Sequence, residues 1–295
     1  MATATNPSAH VEIDRGTVIG TVSLTVADAN RSRSFYERAL GLRASELDDG
    51  ALALGSAGGE RPLIELQADG SAPSLDRRAT GLFHLAILLP SRRDLALALA
   101  RLVEVRWPLD GASDHLVSEA LYLSDPDGNG IEIYRDRPRE RWPRAGGKLE
   151  MATLPLDLNN LLGELRGTSP TQPIVPNATR IGHVHLQVAE LDLVEAFYHD
   201  VLGFEVMVRG YPGALFVSAG GYHHHIGLNT WHSAGASRPA PGSIGLRSFE
   251  VQLPDAQALD QVLARVRAAA VEIEPAPGGA LVRDPSGNAL LLRSR

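Results

Sequence analysis

With 295 residues, 44% of them hydrophobic, the chain can bury a sizeable core and has the length of one large or two ordinary domains. A net charge of −7, with no basic stripe interleaved with aromatics, excludes nucleic acid as an expected partner. Zero cysteines excludes disulfides and thiolate metal sites, so any metal must be held by imidazole and carboxylate, and no run of 18 apolar residues offers a membrane span.

The first sixteen residues lack an apolar run and read as a disordered leader. Four segments of one grammar then follow. The first opens with a strand, "IGTVSLTV" from residue 19, and continues into the helical "SRSFYERALGL". The second opens with "GLFHLAIL" from 81 and the helical "RRDLALALARL", and ends in a hairpin around "DPDGN" at 125. Residues 137–178, rich in proline and charge at both ends with an amphipathic patch between, read as an interdomain linker. The third segment opens with "IGHVHLQV" from 181 and the helical "LVEAFYHDVLGF"; the fourth opens with "GLRSFEVQL" from 245 and "AQALDQVLARV", and ends around "DPSGN" at 284. Each adds three short strands after its helix, so the predicted unit is βαβββ, an α+β fold in four copies. The first copy matches the third and the second matches the fourth, which divides the sequence into halves at 17–136 and 179–295.

One βαβββ unit leaves the inner face of a curled sheet uncovered, so two must pair to form a cup that accepts a ligand. Repeated βαβββ modules, with "F-Y" and "L-G-F" closing the first helix, resemble the vicinal oxygen chelate superfamily, which contains glyoxalases, fosfomycin and bleomycin resistance proteins and extradiol dioxygenases. The resemblance covers about residues 17 to 293 and implies two cup-shaped domains of two modules each.

The resemblance further implies metal ligands on the first and last strands of modules, pointing into a cup. Those positions hold Thr21, His84, His183 and Ser248 in first strands, with Glu132 and Leu291 in last strands, so ligands are confined to the second and third modules. Period-2 alternation turns His84 inward with Ala86 and Leu88, and puts His183 and His185 on one face. The superfamily position favours His183 over His185. A lone strand histidine is commonly a core or surface residue, but a buried, unpaired Glu132 between Ile131 and Ile133 would cost several kcal/mol. Two imidazoles and one carboxylate suit a facial triad for Fe(II), with Mn(II) the alternative. Consecutive pairing of modules would part His183 from His84 and Glu132; pairing the inner modules, second with third, unites them and is the expected arrangement.

The stretch from 114 to 132, "DHLVSEALYLSDPDGNGIE", resembles the extradiol dioxygenase pattern, with His115, five residues, Leu121-Tyr122, a proline turn and Glu132 ten residues after the tyrosine. Ser113, two residues before the histidine, departs from that pattern. In "GGYHHHIGLN" the resemblance selects His224, three residues before the small Gly227, as the acid-base group, with His223 and His225 facing away unless a bulge intervenes. Together these segments are similar to the CatE-like catechol 2,3-dioxygenases. The resemblance implies Fe(II)-dependent insertion of O2 beside the diol of catechol or a substituted catechol, giving a semialdehyde. His224 would move protons, Tyr122 would hydrogen-bond the substrate oxygen, and His115 would orient the substrate or Tyr122. The rivals are a glyoxalase-type lyase or isomerase, which needs a fourth protein ligand such as His225, and a metal-free drug-binding protein. A soluble cytoplasmic enzyme is expected, with homo-oligomer formation left open.

Overall fold

A computed structural model describes residues 11–59, 61–166 and 175–295. The first module comprises β1 (Val18–Val26), α1 (Ala29–Arg38), β2 (Arg43–Glu46), β3 (Leu52–Gly55) and β4 (Ile64–Ala68); the second comprises β5 (Gly81–Leu88), α2 (Arg92–Glu104), β6 (Gly111–Asp114), β7 (Ser118–Ser124) and β8 (Gly130–Asp136). The connecting stretch carries β9 (Arg144–Ala145), β10 (Lys148–Leu149), β11 (Leu154–Pro155) and α3 (Leu158–Leu162). The third module comprises β12 (Arg180–Gln187), α4 (Leu191–Glu195) widening into a π-helical turn at Ala196–Val201, β13 (Glu205–Val208), β14 (Ala214–Ser218) and β15 (Ile226–Asn229). The fourth comprises β16 (Gly245–Leu253), α5 (Ala256–Ala268), β17 (Glu274–Ala276), β18 (Gly279–Arg283) and β19 (Ala289–Ser294). Three module helices start on a side chain that accepts from the open first turn: Asp28 from Arg31 N–H, Ser91 from Asp94 N–H and Asp255 from Ala258 N–H. Among the described residues no helix is long and apolar enough to cross a membrane.

The modules pair across the halves of the sequence. One eight-stranded sheet runs β17-β18-β19-β16-β1-β4-β3-β2 and joins the first module to the fourth; one nine-stranded sheet runs β11-β6-β7-β8-β5-β12-β15-β14-β13 and joins the second to the third. The division at 17–136 and 179–295 is therefore one of sequence only, because each cup draws on both halves. Consecutive modules still touch through a repeated bond. Tyr36 in α1 donates to Asp125 Oδ2 of the second module's hairpin at 3.1 Å, and Tyr198 donates to Asp284 Oδ2 of the fourth module's hairpin at the same distance. The "F-Y" and "D-P-x-G-N" motifs are the two ends of one contact.

Strand alternation sorts the faces. Leu85, Ile87, Ile131 and Ile133 join β1 residues Val22 and Leu24 in one core, whereas Ala86, Leu88, Ala120 and Tyr134 floor the cup of the nine-stranded sheet. The eight-stranded cup is filled by its own side chains: Glu250 accepts from Gln252 and from Arg293 at 2.6 and 2.7 Å, where the expected Thr21, Ser248 and Leu291 supply no ligand set. Gly20 and its repeat Gly182 make room for these fillings. A Cβ on Gly20 would stand 2.3 Å from Gln252 Nε2, and one on Gly182 1.7 Å from the Tyr134 hydroxyl.

Two expectations need correction. Residues 1–10 of the expected leader lie outside the described residues, but 11–16 are not a loose leader: Ile13 is buried in the core and its N–H donates to Gly203 O at 2.8 Å. Burial of one apolar side chain with a satisfied backbone docks the segment. Of the expected linker 137–178, residues 167–174 lie outside the described residues, but 137–166 are more than a tether, since β11 extends the nine-stranded sheet at β6 and α3 packs on α2, where Arg92 bonds Asn160 and Glu164.

Candidate active site

The register of three strands assembles the site. β5 runs antiparallel to β12, pairing Ala86 with His183, and parallel to β8, pairing Ala86 with Glu132. Glu132, Ala86 and His183 thus stand in one row, and His84 follows two residues away on the same face. Ala86 offers only a methyl group at the middle, which leaves the centre open to the three longer side chains. His84 Nε2 and His183 Nε2 lie 3.1 and 3.2 Å from Glu132 Oε2, and one atom from each of the three falls within 4.8 Å of the others. All three residues are buried.

This donor set suits a cation. Two ligand atoms at right angles around an ion with bonds of about 2.1 Å stand about 3 Å apart, as the two imidazole–carboxylate distances do. His84 Nε2 is buried and, among the described residues, has no aligned hydrogen-bond partner despite its nearness to the carboxylate. His183 Nε2 bonds the same oxygen at 3.2 Å, and a His84 nitrogen that converges on it without an aligned bond is placed for a shared ion. Burial lowers His183 to about 4 against the opposing pull of Glu132, which leaves its imidazole neutral and able to ligate. Burial would raise the Glu132 carboxyl, but the facing His183 and His84 outweigh it and hold the group well below the usual carboxylate range.

His185 pairs in register with His84, yet it stands to one side. Its ring packs among Phe83, Phe216 and Trp231 at 5.1, 5.7 and 5.4 Å, and Gly227 lies beneath it, where a Cβ would come within 2.9 Å. Of the two β12 histidines, His183 is the one brought to Glu132. Tyr122 on β7 sits opposite Glu132 in the β7–β8 ladder. His115 holds it: the imidazole Nδ1 lies 2.7 Å from the Ala152 carbonyl, to which it must donate, so Nε2, 2.7 Å from the Tyr122 hydroxyl, accepts from it. Ala152 belongs to the stretch expected to be a linker, which sequence reasoning had no signal to place here.

The three successive histidines differ most from expectation. They lie in the loop between β14 and β15, entered through Gly220 and Gly221 at φ 59° and 67°, left-handed values that favour glycine. Strand alternation does not apply, and all three imidazoles are buried. His224 lines the cavity with its ring 4.1 Å from that of His183 and 5.0 Å from Phe216. His223 does not face away: its Nε2 is 2.9 Å from Asp136 Oδ1 and its Nδ1 is 2.8 Å from His224 Nδ1. His225 turns from the triad, its Nδ1 accepting from Ala219 N–H at 3.1 Å, and burial lowers it to about 3. No fourth acid or imidazole joins the cluster among the described residues. Asp136 was missed, although the period-2 spacing of Glu132, Tyr134 and Asp136 signals a shared face.

The cup encloses a cavity of about 760 Å³ that reaches His84, Glu132, Tyr122, His115 and His224. Its wall is largely apolar, with Leu82, Phe83, Phe216 and Trp231 beside the polar cluster. A flat aromatic ring is held well by such rings, and water is poorly held.

Comparison with known proteins agrees with this geometry. The "Glyoxalase/Bleomycin resistance protein/Dioxygenase superfamily" family matches residues 18–133 and 180–292. A Bacillus subtilis (strain 168) protein named catechol-2,3-dioxygenase is 46% identical over 283 residues, covering 95% of this chain and 98% of that protein. A candidate dioxygenase from Bacillus subtilis subsp. subtilis str. 168 superposes with TM-score 0.64 at 14% identity, over 96% of this chain and 86% of that one. Maize (Zea mays) glyoxalase I superposes with TM-score 0.55 at 15% identity, over 94% and 92%. The two structural likenesses speak for the fold.

Proposed function

The chain belongs to the glyoxalase/bleomycin resistance protein/dioxygenase superfamily, and from that premise we propose that it is a metal-dependent extradiol dioxygenase that opens the ring of catechol, or a substituted catechol, beside the diol to give a semialdehyde. The observation that carries the reading is the identity of nearly half with a catechol-2,3-dioxygenase over almost the whole of both chains, joined to a buried two-histidine, one-carboxylate cluster with proton-handling groups around it. His84, His183 and Glu132 would hold Fe(II), or Mn(II) in its place. Bound there, the metal would stabilise the ionised diol and offer a path for electrons from ring to O2.

The chain's own residues supply the rest. Phe83, Phe216 and Trp231 clamp the ring and keep water out. His224, held neutral by burial and by four other imidazoles around it, would take a hydroxyl proton from the diol and later give it back. Tyr122 keeps its proton, since burial and then Glu132 raise it well above the usual phenol value, and it points that hydroxyl as His115 directs. A glyoxalase-type reaction is disfavoured by His225, which bonds Ala219 in place of serving as a fourth ligand. The test is anaerobic loading with Fe(II) followed by catechol in air. A yellow semialdehyde is expected; no colour, with isomerisation of a glutathione hemithioacetal instead, would overturn the reading.

A further inference from the structure

Behind His224 lies a buried polar chain that the reaction as derived does not use. Tyr134 and Tyr222 hydroxyls are 2.7 Å apart, Tyr222 donates to Asp136 Oδ2 at 2.9 Å, His223 Nε2 stands 2.9 Å from Asp136 Oδ1, and His223 Nδ1 stands 2.8 Å from His224 Nδ1. We propose that Asp136 and His223 are positioning residues that fix which nitrogen of His224 carries its proton, leaving Nε2 as the acceptor that faces the substrate. This inference rests on the ring-cleavage reading, in which His224 receives a proton from the diol.

The assignment follows from donors and acceptors. A carboxylate oxygen only accepts, so the proton between Asp136 and His223 sits on His223 Nε2. With its one ring proton there, His223 offers Nδ1 as an acceptor, and the bond to His224 is donated by His224 Nδ1–H. His224 Nε2 is left bare, and among the described residues it makes no hydrogen bond to protein. The bond also survives the reaction, because a doubly protonated His224 still donates from Nδ1 and no partner has to turn. A base whose second nitrogen is held through a second group to a carboxylate is the general device by which an imidazole is kept in one tautomer and one orientation. The chain is built for this place: His223 is 0% exposed, Trp142 covers its ring at 5.4 Å, and the Cβ that Gly182 lacks would collide with the Tyr134 hydroxyl.

The test compares iron-loaded wild type with Asp136→Asn, His223→Leu and His223→Asn. An amide at 136 can donate to His223 Nε2, reversing both bonds and putting the His224 proton on Nε2. Asp136→Asn is expected to lose about 10- to 100-fold in kcat with KM and bound iron unchanged. Anaerobic 4-nitrocatechol, whose visible absorption reports its protons, should bind wild type with both hydroxyls ionised and Asp136→Asn with one retained. His223→Leu should behave like Asp136→Asn, whereas His223→Asn, whose oxygen can stand in for Nδ1, should recover most of kcat. Wild-type kcat and a wild-type 4-nitrocatechol spectrum in Asp136→Asn would overturn the inference, as would a loss of iron or KM in step with kcat, which marks a merely structural role. If wild type itself cleaves no catechol, the ring-cleavage reading fails instead, and that result is separate from any difference among variants.

Discussion

Ala86 decides whether three larger side chains can meet. It stands in register between Glu132 and His183, so a bulkier residue there would push into the space where the imidazoles and carboxylate converge. Ala86→Leu is expected to retain the fold, by circular dichroism, and to lower bound iron by at least about tenfold on metal analysis; full iron content would contradict the row geometry. Glu132→Ala should lose most bound metal, whereas His224→Ala should keep it and lose about 10²- to 10⁴-fold in kcat, the range for a removed acid-base group. Metal analysis beside steady-state rates separates the two, and the opposite pattern would reverse the roles. At this scale, His84 and Glu132 were legible because strand alternation aims them inward and a carboxylate among isoleucines demands a reason. The facing of His223 was not, since two left-handed glycines replace a strand with a loop and no period survives there.

Between elements, Glu119 gathers three arginines, Arg92, Arg135 and Arg137. Burial would raise its carboxyl, but hydrogen bonds from Arg92 and Arg135 outweigh that and lower it, tying α2 and β8 to β7 while Arg92 reaches on to Glu164 after α3. A carboxylate depressed on folding contributes stability that is full above its ordinary value of 4.5 and is lost as pH falls through the lower folded value. Glu119→Gln should therefore be less stable than wild type at neutral pH and show a shallower acid limb in denaturant titrations taken from pH 6 down to pH 3; identical limbs would remove Glu119 from the account. The paired tyrosine–aspartate contacts make a second test. Tyr36→Phe and Tyr198→Phe each leave a buried aspartate short of one donor, and each should cost about 1–3 kcal/mol in chemical denaturation. The repeat made both motifs visible in the sequence, but their partnership was not, because it joins residues 89 and 86 positions apart.

Across the whole molecule, pairing of inner and outer modules makes the halves interdependent. The need to bring His183 to Glu132 was enough to anticipate that pairing from sequence, whereas the packing of Ala152 against His115 depends on a backbone carbonyl, which carries no residue code. Separate chains ending and beginning within that stretch should each fail to bind iron tightly, and mixing them should restore part of the capacity, measured by equilibrium dialysis. Tight binding by residues 1–136 alone would count against a ligand from the second half. The same interlock sets an order in time. His84 and Glu132 leave the ribosome first, 51 positions separate Glu132 from His183, and β5 cannot gain its β12 neighbour until that later strand exists. During synthesis the first half therefore presents two of the three proposed ligands and an open sheet edge, enough to pair with the strand still to come. On the proposed ligand set, a loaded centre would certify that translation has passed its midpoint and that both halves have folded together.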